Sequence, residues 1–259
     1  MKILVCVKQV PESDTAIDIE EDGSWIDMDS FDEFKMNRLD EFAVEEAVRF
    51  KETLADLSID VISVGSAHAA DAVKRSIGMG AHNGVHIVHE NEAHLSPSLI
   101  ASWIAQYAKN HNYALILTGA MSEDAMNGQT GPMIAAHLNL PCATGVIFQK
   151  LASDEKTIYV EREIEGGRRD TLEIKLPAVL TIQSGNNIPR YPSLSNLLRA
   201  NKQKLEIIES TALSQPETGE DIIRVAYPQK SRAGTVLEGS QQDKARELIQ
   251  ILRDKALLE

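Results

Sequence analysis

The stretch Gly119-Ala-Met-Ser-Glu-Asp-Ala-Met-Asn-Gly-Gln-Thr-Gly131 joins an apolar run, Ala114–Thr118, to a helix predicted over Gln129–Asn139. A glycine-rich connection between a short buried strand and a helix is typical of parallel α/β sheets, which bind ligands at the carboxyl ends of their strands. Gly128 and Gly131 would let the backbone approach an anion closely. On the residues alone, a nucleotide site and a βα turn that binds nothing remain equal alternatives.

Three side chains of this stretch suit a nucleotide. Gln129 and Thr130 offer hydrogen-bond donors, and Asp124 could accept from a ribose hydroxyl or an adenine amine. The sequence contains no GxxxxGK[ST] phosphate loop, no GxGxxG after a strand and no GxSxG elbow. It therefore gives no support to a kinase, an NTPase, a conventional dinucleotide dehydrogenase or a serine hydrolase. We expect a carrier or a binding protein rather than an enzyme.

Strands and helices alternate on the amino-terminal side of this stretch. The predicted strands are Lys2–Val7, Ile59–Val64 and Val85–Val88, and the predicted helices are Asp40–Leu54, Ala67–Met79 and 97–109, the last with Ser96 as its N-cap. On the first helix, Glu45 and Arg49 are expected to pair on the polar face, and the adjacent acids Glu45 and Glu46 to be solvated. The alternation predicts an α/β fold, a parallel sheet with helices on both faces.

The pattern changes after Cys142. An antiparallel hairpin, a further strand and a short helix are predicted at Thr157–Ile164 with Arg169–Leu176, at Ala178–Gln183 and at Leu194–Ala200. From Asn201 to Gln242 the chain is polar and has no clear period, and Lys244–Leu257 is amphipathic. Such a tail is either an arm that lies on another subunit or a segment that packs on its own domain.

Charge and composition exclude several partners. The chain has 26 Lys and Arg against 39 Asp and Glu, a net charge of −13, which disfavours nucleic acid and anionic membrane surfaces. Cys6 and Cys142 are expected to be ordinary thiols, and the four closest histidines have no metal-ligand spacing. These histidines are His82, His86, His89 and His94. We therefore expect no metal site.

Location is also an expectation from composition. No apolar run approaches the roughly 20 residues that a membrane span needs, and the first residues do not resemble a signal peptide. We expect a cytoplasmic protein, or one of an organelle matrix.

A second unusual segment is Asn186-Asn-Ile-Pro-Arg-Tyr-Pro-Ser-Leu194. Two prolines restrict the backbone around Arg190 and Tyr191. Arginine, tyrosine and leucine on a stiffened loop have the composition of a protein-interface hot spot, although a plain surface loop is the alternative.

Four segments together resemble the β subunit of electron transfer flavoproteins. They are Ile3–Pro11, Met36–Arg49, the loop Asp124–Gly131 with Pro132, and Val160–Gly167 continuing through Leu176–Thr181 to Pro189–Leu194 and Ala200–Lys202. The likeness is spread over residues 1–205, and Arg232–Gly239 with the closing helix is similar to the family's arm.

The resemblance implies a Rossmann-like domain with a hairpin extension over residues 1–205. It also implies a C-terminal arm and helix, residues 206–259, that packs on the α subunit. In this family the α subunit holds most of the redox FAD site, and the β subunit buries an AMP. Flavin-bifurcating members hold a second FAD in place of the AMP.

Positions of cofactor contact follow from the same resemblance. The expected residues are Cys6, Val7, Lys8, Asn37, Asp40, Val64, Gly65, Gly119, Asp124, Asn127, Gly128, Gln129 and Thr130. Leu194 matches the hydrophobic anchor of the family's recognition loop, with Arg190, Tyr191 and Asn196 beside it. The 122–130 loop is more similar to the AMP type than to the bifurcating type. Leu39 stands where relatives often carry an aromatic residue, and the Asn201–Lys204 run is less basic than usual.

The expected function is electron transfer from flavin dehydrogenases of the acyl-CoA type, as in fatty acid oxidation, to a membrane-bound, quinone-linked oxidoreductase. A bifurcating form, in which a second FAD oxidises NADH, is the first alternative. An adenine-nucleotide sensor that folds without an α subunit is the second.

Overall fold

The computed structural model of the chain describes residues 1–12, 17–27, 31, 33–54, 56–89, 95–185, 187–216, 222–228 and 234–258. These residues fall into two compact units, Met1–Val225 and Ala226–Glu259. The predicted division at residue 205, with the later part packing on another subunit, remains a prediction.

The first unit contains one large sheet. Its strands are β1 (Lys2–Cys6), β4 (Ser58–Gly65), β5 (Asn83–Val88), β6 (Leu115–Gly119), β7 (Cys142–Leu151), β8 (Thr157–Ile164), β9 (Arg168–Lys175), β10 (Ala178–Ile182) and β11 (Glu206–Glu209). A separate two-stranded antiparallel sheet pairs β2 (Gln9–Pro11) with β3 (Phe34–Met36). The order across the large sheet is β11-β5-β4-β1-β6-β10-β7-β8-β9. The pairs from β11 to β7 are parallel, and only β7–β8 and β8–β9 are antiparallel.

Helices cover both faces of this sheet. They are α1 (Arg38–Thr53), α2 (Ala70–Met79), α3 (Pro97–Ala108), α4 (Thr130–Leu138) and α5 (Leu194–Lys202). Alternate residues of β1 enter opposite cores: Ile3 and Val5 pack with α1 and α2, whereas Leu4 and Cys6 pack with α3 and α4. The predicted Rossmann-like α/β class is confirmed, because a strand buried on both faces is what a parallel sheet between helix layers requires.

Local signals set the helix ends. The Ser96 hydroxyl accepts a hydrogen bond from the Leu99 N–H, and Pro97 occupies the first turn of α3. Gly80, with φ of 134°, ends α2. Both ends were predicted, because an N-cap serine followed by proline and a C-terminal glycine are strong local signals.

The predicted antiparallel hairpin is formed by β8 and β9, which pair from Thr157 opposite Lys175 to Ile164 opposite Arg168. Gly166 and Gly167 both have positive φ at the turn. The preceding strand, β7, was not predicted. It joins the hairpin to β10 and so makes the three antiparallel strands an extension of the main sheet.

The expected irregular stretch after Asn201 contains a strand. Residues Glu206–Glu209 form β11, which pairs in parallel with β5. Four residues are too few to show a period, and β11 forms because the β5 edge offers it backbone partners. Sequence patterning therefore missed it.

In the second unit, α6 (Gln241–Asp254) begins with a capping box, since Ser240 accepts from the Asp243 N–H and the Asp243 carboxylate accepts from the Ser240 N–H. No residue of α6 is buried, and Leu248 and Ile249 keep 47% and 44% of their surface exposed. The helix therefore presents an apolar stripe that its own residues do not cover. Among the helices in the described ranges, none is long and apolar enough to cross a membrane.

Candidate functional site

The predicted cofactor residues meet at the carboxyl edge of the sheet. Strand β1 lies between β4 and β6, so the connections that follow these three strands leave the sheet side by side. The Lys8 Nζ lies 2.5 Å from Asp124 Oδ2, although 116 residues separate them. The structure thus brings the loops after β1 and β6 into direct contact.

Asp40, in the first turn of α1, joins these two loops through backbone hydrogen bonds. Its Oδ2 accepts from the Lys8 N–H at 2.7 Å, and its Oδ1 accepts from the Gly119 N–H at 3.0 Å. Burial raises the pKa of this carboxyl group to about 7, and the two N–H donors oppose that rise. Because both oxygens are occupied by backbone, Asp40 holds the shape of the site.

Asn37, directly before α1, has a similar arrangement. Its Nδ2 donates to the Met121 carbonyl, and its Oδ1 accepts from the Glu123 N–H, both at 3.0 Å. The Glu123 carboxylate accepts in turn from the Arg38 N–H at 3.1 Å. The start of α1 therefore holds the loop after β6 at three points.

The residues after β1 and β4 contribute mainly backbone. Cys6 is buried, and burial followed by the nearby Asp40 charge raises the pKa of its thiol, which stays neutral. The Val7 N–H donates to the Ile62 carbonyl at 2.9 Å. Val64 is half-buried at the end of β4, and Gly65 has φ of 152°, a backbone conformation that favours glycine. These residues form the wall of the site beside β4.

The loop from Asp124 to Gln129 is exposed. Partial burial of the Asp124 carboxylate opposes its charged form, but the Lys8 charge together with hydrogen bonds from Lys8, Ser122 and the Ala125 N–H keeps its pKa below the usual range. Gly128 has φ of 61°, and Asn127 and Gln129 flank it with exposed side chains. Thr130 then begins α4, whose N-terminus has no side-chain cap. Its first N–H groups are therefore available to an anion.

Two glycines let helices approach the sheet closely. A Cβ on Gly119 would collide with the Asp40 carboxylate and lie 2.9 Å from the Leu39 carbonyl carbon. A Cβ on Gly131 would lie 2.6 Å from the Thr181 methyl group and 2.9 Å from the Thr118 hydroxyl. The site thus depends on glycine for close packing at both ends of its loop.

The loop predicted to dock partners, residues 187–196 and called the docking loop below, contacts α1. Its apolar side chains point outward: Tyr191 is 83% exposed and Leu194 is 73% exposed. Asn196 lies in the first turn of α5, where its N–H donates to the Ser193 hydroxyl. Arg190 is different, because its guanidinium is bonded to Glu45 and Glu52 of α1. Asn186 lies outside the described residues.

The expected pairing of Glu45 with Arg49 is wrong. Glu45 and Glu46 are both buried, Glu45 pairs with Arg190, and Arg49 pairs with Glu46 at 3.3 Å. The loop covers this face of α1, so the two acids are not solvated. No sequence signal links Glu45 to Arg190, since 145 residues separate them. Glu123 was also not predicted to be a site residue, although its position inside the predicted nucleotide-binding loop could have indicated it.

Each described histidine of the group 82, 86, 89 and 94 contacts a different partner. His82 accepts from the Ile59 N–H, His86 lies 3.2 Å from the Gly65 carbonyl oxygen, and His89 lies 2.9 Å from the Ser210 hydroxyl. His94 is outside the described residues. Within the described ranges no group of three or more metal-ligating side chains occurs, and neither cysteine forms a disulfide.

Comparison with known proteins agrees with this architecture. Residues 28–213 match the family model described as the electron transfer flavoprotein domain. Proteins named electron transfer flavoprotein subunit beta from Sus scrofa and Bos taurus are 35% and 36% identical to the chain, covering 92% of it and 93% of each relative. The protein of that name from Methylophilus methylotrophus is 31% identical and covers 98% of both chains. A similarity of this extent shows the family, and the chain belongs to the electron transfer flavoprotein β-subunit family.

Proposed function

We propose that this β subunit binds AMP at the carboxyl edge of its sheet and pairs with an α subunit that holds most of the FAD site. The pair carries electrons from flavin dehydrogenases of the acyl-CoA type to a membrane-bound, quinone-linked oxidoreductase. The observation that carries the proposal is the carboxyl-edge site, in which residues from the ends of β1 and β6 are joined by hydrogen bonds to the start of α1.

The residues present fit a nucleotide monophosphate. The uncapped N-terminus of α4, with Gly128 before it, suits the phosphate. Lys8 adds an ammonium group that contacts Asp124 in the loop after β6, and Asp124 suits a ribose hydroxyl. The neutral wall made by Cys6, Val64 and Gly65 suits an adenine ring.

In this proposal the protein supplies position and surroundings, and FAD supplies the electron chemistry when the α subunit holds it. Asn37 and Asp40 hold the loops that would bind AMP. The hydrogen bonds of these two residues therefore connect the nucleotide site to the start of α1. AMP then serves as a structural ligand of this subunit. Any ligand that binds only the folded state stabilises that state.

The second unit supports the pairing with an α subunit. Residues 234–258 are largely exposed, with Val236 at 82%, and α6 carries an apolar stripe of which Leu248 and Ile249 are exposed and Ile251 and Leu252 are half-buried. Large exposed apolar surfaces mark interaction sites in soluble proteins. Arg232 and Ala233, which begin the segment similar to the family's arm, lie outside the described residues.

The test is electron transfer by the co-purified heterodimer. We expect its flavin to be reduced by a purified acyl-CoA dehydrogenase with its acyl-CoA substrate, and to stay oxidised with NADH alone. Reduction by NADH, coupled to reduction of ferredoxin, would replace the carrier with the bifurcating form. A chain that folds and exchanges nucleotide as a stable species without any α subunit would favour the sensor.

A further inference from the structure

Arg190 faces the protein's own helix. Its backbone N–H and its Nε donate to Glu45 Oε2 at 3.0 and 2.8 Å, and its Nη2 donates to Glu45 Oε1 at 2.8 Å. The remaining Nη1 donates to Glu52 Oε1 at 2.8 Å. One arginine thus contributes four hydrogen bonds from the docking loop to α1, and three of them end on one carboxylate.

The two acids of this arrangement differ in burial. The Glu45 side chain is 6% exposed and the Glu52 side chain is 56% exposed. An ion pair in water contributes little, whereas loss of one partner from a buried pair leaves an uncompensated charge. The hydrogen bonds that Arg190 donates to Glu45 and then to Glu52 raise the pKa of Arg190, in keeping with a permanently charged partner. Glu45 should therefore carry most of the effect.

Neighbouring contacts hold the same loop. The Asn187 Nδ2 donates to the Phe42 carbonyl at 3.0 Å and to Glu46 Oε2 at 2.9 Å. The Tyr191 ring lies 5.1 Å from the guanidinium carbon of Arg75, and Arg75 is bonded to Glu41 at 2.7 Å. Beside these contacts Ile188 and Leu194 point outward and the Tyr191 ring is itself largely exposed, whereas Pro192 is buried.

Three of the exposed residues carry large apolar or aromatic side chains. Ile188 is 89% exposed, and Tyr191 and Leu194 are exposed to a similar degree. A loop held at residues 187 and 190 presents these side chains in one arrangement before any partner arrives. Ordering the loop in advance lowers the entropy cost of association.

We propose that Arg190 and Glu45 form a positioning pair, which holds the docking loop on α1 for partner binding, and that Arg190 does not itself contact the partner. This assignment rests on the proposed function, because the partner is the flavin dehydrogenase of that proposal. It assigns Glu45, a residue of the first helix, to the docking machinery. It also moves Arg190 from the contact residues to the supporting ones.

The first test measures the loop without a partner. Hydrogen exchange of the Arg190 amide is followed in the full-length chain purified with its α subunit, for wild type and for Glu45→Gln, Glu45→Ala and Glu52→Gln. We expect exchange to quicken by about tenfold or more in Glu45→Ala and less in Glu45→Gln, since local opening sets the rate. Glu52→Gln is the matched control and should stay within about twofold of wild type. Unchanged exchange in both Glu45 variants would overturn the pair.

The second test separates positioning from contact. KM for a purified acyl-CoA dehydrogenase is measured for Glu45→Gln, Arg190→Gln and the double variant. We expect both single variants to raise KM by a similar factor, and the double variant to add nothing, because the two residues act as one unit. A rise in Arg190→Gln alone would mean direct contact and would overturn the proposal, as would unchanged KM in both. If wild type does not react with the dehydrogenase at all, the proposed function fails, and the exchange experiment still decides whether the pair holds the loop.

Discussion

Leu194→Ala is expected to lower kcat/KM for reduction by an acyl-CoA dehydrogenase by about 10- to 100-fold, with the fold intact. The side chain is 73% exposed at the start of α5, so its removal leaves no cavity. Burying a leucine against a partner contributes about 1.5–3 kcal/mol, and 1.4 kcal/mol corresponds to a tenfold change. The loss should appear in KM, because Leu194 is proposed to act in docking alone.

The matched control is Ile207→Ala. Ile207 is 54% exposed on the edge strand β11, outside the docking loop, and loses a similar apolar side chain. We expect its kcat/KM and its melting temperature to equal those of wild type. If Leu194→Ala behaves like Ile207→Ala with several dehydrogenases, Leu194 is not the anchor.

Gly119→Ala is expected to damage both stability and nucleotide binding. The φ of Gly119 is not in the left-handed region, so the backbone itself tolerates a side chain. The obstacle is contact, because the new Cβ would meet the Asp40 carboxylate and the backbone of Leu39. To relieve the collision α1 must move away from β6, which breaks the hydrogen bond from the Gly119 N–H to Asp40.

The combined cost of overpacking and of that lost hydrogen bond is about 2 to 4 kcal/mol in the free energy of unfolding. Denaturant titration of the heterodimer measures it, and AMP affinity of the same variant should fall by at least about tenfold because the loops separate. Gly234→Ala is the control, since no atom of the described residues, its chain neighbours apart, lies within 4 Å of its added Cβ. Equal stability of the two variants would show that Gly119 is not a close-packing position.

The core of the fold could be predicted from local patterns. Apolar runs such as Ile3–Val7 and Ile59–Val64 are strands buried on both faces, and the parallel sheet follows from the helices between them. Strands β7 and β11 could not be predicted in this way. Strand β11 forms because the edge of β5 supplies its backbone partners, and β7 pairs with β10 on one side and β8 on the other; pairings between distant segments of this kind leave no mark on the local sequence.

The features of the site also fall into two groups, those that sequence patterns predict and those that only the folded structure shows. The meeting of Lys8 with Asp124 follows from parallel topology, because carboxyl ends of neighbouring strands share one edge. The use of Asp40 as a backbone acceptor, and of Glu45 as the partner of Arg190, depends on distances between distant segments. Acidic side chains on a helix are solvated by default, and only the covering loop changes that.

The most direct test of the account is the nucleotide content of this chain co-purified with its α subunit, released by denaturation and quantified. The proposed function predicts one FAD and one AMP per heterodimer. Two FAD with no AMP, or no stable complex with an α subunit, would contradict it.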